Sequence, residues 1–113
     1  MRSLSRIDAE LGGFVPVADP QAAARGLLAL AEETLEHWIA ARGEVPTQEL
    51  KETFRLLALH RQGARGVPSF NACRETCREI AYHYNLLTTE DVPASTFHTQ
   101  RMMGMLAKHL FLF

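Results

Sequence analysis

Apolar residues recur along this chain at intervals of three and four, the spacing that predicts amphipathic helices. Between Pro20 and Arg42, Leu27, Leu28, Ala31, Leu35, Trp38 and Ile39 share one side, and Arg25, Glu32, Glu33 and Glu36 hold the other. Asp19-Pro20 is a strong helix start, because the Asp19 carboxylate accepts from free first-turn amides and Pro20 suits the first helical position. Gly43 supplies the stop.

A second helix is expected over 47–62. Thr47-Gln48-Glu49-Leu50 approximates a capping box after Pro46, Glu49 and Glu52 favour the positive end of the dipole, and Leu50, Phe54, Leu57 and Ala58 face inward. Gly63, Gly66 and Pro68 end it.

A third helix is expected over 69–87, with Ser69 as its cap. Phe70, Cys73, Cys77, Ile80, Tyr84 and Leu87 form a seam spaced three, four, three, four, three. The segment Thr88–Pro93 reads as a loop, and a fourth helix is expected over 95–112. Its inward face is assigned to Met102, Met105, Leu106, His109, Leu110 and Phe113.

Residues 1–18 read as an extended lead-in around Gly12-Gly13, Pro16 and Pro20, with room for a helical turn or two from Ser5 to Leu11. The expected fold is therefore all-α, a four-helix bundle-like domain over 19–113 behind that lead-in.

Composition agrees with a globular chain. Of 113 residues, 47% are apolar and 22% charged, enough to bury a core of modest size. The net charge of −1 argues against bulk attraction to nucleic acid or anionic membrane. That charge is uneven: residues 1–47 carry −3 and residues 48–113 carry +2. Met1 to Ile7 has no continuous apolar core of the secretion-signal kind, and charges interrupt the longest apolar stretch, so a cytoplasmic chain without a membrane span is expected.

Cys73 and Cys77 are the first candidates for chemistry. Four residues apart on a helix, they point the same way and could share a metal or an oxidant, with His60, His83 or His98 as further ligands. Arg74 and Arg78 would lower a thiol pKa. Yet both cysteines sit on the apolar seam, where cysteine acts as a small hydrophobe, and their spacing is not that of zinc knuckles. Glu79 and His83 could share a ligand face in the same way as any surface pair.

Lys51, Arg55, Arg61, Arg65, Arg74 and Arg78 form a basic stretch across two helices, the outline of a DNA-binding helix-turn-helix. The linker is too long for that motif, and Glu75 and Glu79 stand beside the arginines. No nucleophile elbow or phosphate-binding glycine loop appears, and nothing calls for a cofactor. A non-enzymatic role is the reading that remains.

Met102, Met103 and Met105, followed by Leu110-Phe111-Leu112-Phe113, offer an adaptable apolar surface. The expectation is a helical accessory or regulatory protein that self-associates or binds a protein partner. Trp38, Met102, Met105, Leu110 and Phe113 are its candidate contact residues. A thiol- or metal-responsive sensor at Cys73 and Cys77 is the alternative, and a DNA-binding regulator a further one.

Overall fold

A computed structural model describes residues 1–89 and 95–113. Among them are five α-helices, one 3-10 segment and no strand: α1 (Leu4–Gly12), α2 (Pro20–Ala41), α3 (Arg55–Gly66), the 3-10 segment Pro68–Cys73, α4 (Arg74–Thr88) and α5 (Phe97–Phe111). The expected loop Thr88–Pro93 lies, from Glu90 onward, outside the described residues. No helix among those described is long and apolar enough to cross a membrane.

The fold is all-α, as the spacing predicts, but it has five helices rather than four. The extra one is α1, which the lead-in only hinted at. Ser3 caps it by accepting from the Arg6 amide at 3.2 Å, and Ile7 and Leu11 are buried against the other helices. α2 is the central element, packing against α1, α3, α4 and α5. Its start is as expected: the Asp19 side chain accepts from the Gln21 and Ala22 amides, each at 3.1 Å.

The second expected helix begins eight residues late, at Arg55. A helix from Thr47 would need the Thr47 carbonyl to take the Lys51 amide. Instead Arg55 Nε donates to that carbonyl at 2.8 Å, and the Lys51 amide donates to the Phe54 carbonyl at 2.9 Å. Gln62 holds the same loop from α3, accepting from the Thr47 amide and donating to the Val45 carbonyl, both at 2.8 Å. Glu52 and Thr53 take left-handed φ values of 52° and 70° to close the turn. Leu50, expected in the core, is consequently 63% exposed. Glu49 and Glu52 leave the helix dipole and pair with Arg61 and Arg78.

The cysteine seam survives intact: Phe70, Cys73, Cys77, Ile80 and Leu87 are buried and Tyr84 packs against them. Its first turn is 3-10 rather than α, and Ser69 does not cap it.

The fourth expected helix begins at Phe97 and is rotated from expectation. Gln100, Met103, Gly104, Ala107 and Leu110 are buried. Met105 is 65% and Phe113 57% exposed, His109 is also exposed, and Met102 and Leu106 are half-buried. Gln100 sets this rotation. Fully buried, its amide accepts from the Val17 N–H at 2.8 Å and donates to the Val17 carbonyl at 2.9 Å and to Thr96 Oγ1 at 2.9 Å. The lead-in is thereby tied to α5 across 83 residues of sequence. Gly104 completes the joint, because a Cβ there would stand 3.0 Å from the Phe14 ring.

Gln100→Leu leaves the Val17 peptide groups without their partner, and loss of about 2 kcal/mol in urea unfolding is expected. An unchanged stability would show that the joint is idle.

Between α2 and α3, Arg55 bridges Glu36 and, at 3.7 Å, Glu32. Burial pushes the Glu32 carboxyl above its ordinary 4.5, Arg55 opposes that shift, and Glu36 and Glu33 reinforce it. The folded chain then holds this proton more tightly than the unfolded chain, so stability falls as pH rises from 4.5 through the raised value. In Glu32→Gln that fall disappears. The variant's unfolding free energy minus the parent's should therefore grow with pH through this window, and a flat difference would contradict the assignment.

Candidate functional site

Two places bring together residues with something to offer a ligand or partner. The first is a buried thiol–imidazole cluster at the junction of α3 and α4. In an α-helix the Phe70 carbonyl would accept the Arg74 amide, but here that amide turns to the Asn71 carbonyl. The Phe70 carbonyl is left for side chains: Cys73 Sγ donates to it at 3.2 Å, and His60 Nε2 lies 3.2 Å away. A carbonyl only accepts, so Nε2 carries the proton.

Phe70 itself is pinned on three sides. Its ring stacks on His60 at a centroid distance of 5.4 Å and packs against Trp38 at 4.3 Å. The third wall is Gly63, where a Cβ would come within 2.7 Å of the ring's Cδ1.

Cys73 and Cys77 are reduced and buried, 1% and 0% exposed. The neighbouring Cys77 thiol, helped by His60 and against the pull of burial, holds Cys73 down to about 5. The same pairing with Cys73 pushes Cys77 up, and burial adds to the effect. The chemistry on offer is a buried pair of thiols beside an imidazole, of which Cys73 gives up its proton the more readily.

Of the thiol and metal candidates, the fold unites Cys73, Cys77 and His60. His83 stays on the outer side of α4, its Nδ1 at 2.7 Å from the Glu79 carbonyl and its ring edge-on to Tyr82. Among the described residues, no three His, Cys, Asp or Glu side chains are placed to hold a metal ion.

The second place is the outer face of α5. Phe97, Arg101, Met105, Lys108 and Leu112 recur along it, all exposed, and Phe113 continues it. Where this face meets the lead-in, a groove of about 530 Å³ runs between Phe14, Val15 and Pro16 on one side and Phe97, Gly104 and Met105 on the other. Arg101 and Lys108 line it as well, and α5 contains no acidic residue.

The candidate contact residues divide across the fold. Met105 and Phe113 are on the α5 face, and Met102 is half-buried at its side. Leu110 is in the core, 1% exposed. Trp38 is occupied within the chain, between Phe70 and the Arg42 guanidinium, which lies 4.9 Å from its ring centre. His109, assigned to the inward face, is exposed and edge-on to Phe113.

Phe97, Arg101 and Lys108 were missed by sequence reasoning. The signal lay in the competing helical phase: Gly104 and Ala107 are small enough for close packing, and only the phase that buries them puts Phe97, Met105 and Leu112 in line. Comparison with protein-family models, curated proteins and solved structures found no match.

Thiolate absorbance of the native protein should titrate with a midpoint near 5 for Cys73. Cys77→Ala should move that midpoint upward, because the neighbour that favours the thiolate is gone. A midpoint in the ordinary thiol range for both proteins would remove the cluster as a reactive centre.

Proposed function

We propose that this chain is a non-enzymatic helical accessory or regulatory protein that acts by self-association through the outer face of α5. The observation that carries the reading is the exposed line Phe97, Met105, Leu112 and Phe113, left over after the core is complete without it. Apolar side chains gathered on one face, flanked by polar ones, are the mark of an association surface.

The face suits a second copy in one orientation. With two α5 helices antiparallel and crossing at Met105, Phe97 of one copy lies opposite Phe113 of the other. Arg101 then faces His109 rather than another Arg101, and Lys108 faces Met102. Such pairing is two-fold and self-complementary, the commonest form of a homodimer. Like charges are kept apart without any acidic residue on the helix.

A second reading, a thiol-responsive sensor, is favoured by the convergence of Cys73, Cys77 and His60 and by the lowered Cys73 pKa. It ranks below the first because both sulfurs are buried, so a reagent reaches them only when the α3–α4 junction opens.

Light scattering coupled to size exclusion should return twice the chain's mass at concentrations of about 100 μM, and Met105→Glu should weaken the dimer at least tenfold, roughly 1.4 kcal/mol. Because Met105 is exposed, the variant's unfolding midpoint should barely move. A parent protein of single mass at all concentrations would contradict the proposal.

A further inference from the structure

A concavity rich in cations shares His60 with the thiol–imidazole cluster and contains no residue of α5. A pocket of about 320 Å³ is lined by Lys51, His60, Arg61, Arg65, Asn71 and Arg74, with no carboxylate among its walls. Three separate elements build it. His60, Arg61 and Arg65 occupy one contiguous face of α3, Asn71 and Arg74 come from the junction with α4, and Lys51 comes from the turn that replaced the expected helix start.

That turn is held firmly. The Lys51 amide and carbonyl each bond to Phe54 at 2.9 Å, and the left-handed residues Glu52 and Thr53 close it. His60 is fixed by the Phe70 carbonyl and by stacking on the Phe70 ring.

Of two nearby acids, one is engaged elsewhere and one meets a pocket arginine. Glu52 pairs with Arg78 at 3.2 Å, outside the pocket, and Glu49 meets Arg61 at 3.5 Å across an exposed edge where solvent screens the pair. Lys51, Arg65 and Arg74 have no ion-pair partner among the described residues. Arg61 and Arg65, four apart on one helix, repel each other in the absence of an anion. Glu75, beside Arg74 in sequence, does not line the pocket.

We infer that this pocket is a binding site for a small molecule bearing adjacent phosphate groups. Planar guanidinium forks from Arg61, Arg65 and Arg74 match phosphate oxygens two at a time, Lys51 adds a mobile point charge, and the Asn71 amide adds a neutral donor. The volume is at the small end of the ~300–1,000 Å³ typical of ligand pockets, room for a diphosphate with little attached. Of the six basic residues that from sequence alone outlined a helix-turn-helix, the fold gathers Lys51, Arg61, Arg65 and Arg74 around a concavity, while Arg55 and Arg78 pair with acids outside it. The inference is independent of α5 and of self-association.

Calorimetric titration with pyrophosphate, in a phosphate-free buffer of low salt, tests it directly. Saturable binding is expected, weakening as salt rises. The double variant Arg65→Gln/Arg74→Gln should bind at least tenfold more weakly, and Arg25→Gln, exposed on α2 and outside the pocket, should match the parent. Both pocket positions are exposed, so the fold should persist, as the far-ultraviolet circular dichroism of the double variant would verify. Three outcomes would overturn the site: no heat with pyrophosphate, affinity undiminished in the double variant, or equal weakening by Arg25→Gln. Retention of a short single-stranded oligonucleotide without pyrophosphate binding would also overturn it, in favour of a nucleic-acid backbone as the ligand.

Discussion

The amide of Gln100 holds the two ends of this fold together. It is fully buried, and it meets both the N–H and the carbonyl of Val17, so the extended lead-in before α2 is treated as if it were a strand edge. A buried amide is tolerated only when its donors and acceptor are met, and here Thr96 takes the remaining donation. That requirement admits one rotation of α5. With Gln100 inward, Met103, Gly104, Ala107 and Leu110 follow it into the core, and Phe97, Met105 and Leu112 are turned out. The surface proposed for self-association is thus a consequence of where one polar side chain must sit.

The same logic separates what could be read in the sequence from what could not. The start of α2 and the cysteine seam were legible because they rest on local rules: an aspartate capping its own helix, and a three-four repeat of apolar residues. The start of α3 was not. Thr47 and Glu49 satisfy the local signature of a helix cap, but Arg55 and Gln62 reach back from a later helix and take the backbone groups that a helix from Thr47 would use. The rotation of α5 failed for a related reason. Counting methionines and phenylalanines as inward favoured Met105 and Phe113, whereas a glutamine bonded across 83 residues overruled them. In both cases a distant polar side chain outbid the local apolar pattern.

Something similar happened at the α3–α4 junction. Cys73, Cys77 and His60 were named as candidates by residue type, and the seam predicted burial of both thiols. What brings His60 to them is a change of helix type: the 3-10 turn frees the Phe70 carbonyl, and thiol and imidazole both converge on it. His60 is also one wall of the basic pocket. The basic residues were visible as a stretch along the chain, but their arrangement around a concavity depends on the Lys51–Phe54 turn, which no local signal announced.

The central claim is that Gln100 orients α5 so that Met105 is the midpoint of a two-fold contact between copies. Site-directed cross-linking reads that geometry at one atom pair. Under mild oxidation, Met105→Cys in a background of Cys73→Ala and Cys77→Ala should form a covalent dimer, while Met103→Cys, in the core, should remain single. A covalent dimer from Met103→Cys, or none from Met105→Cys, would contradict the account.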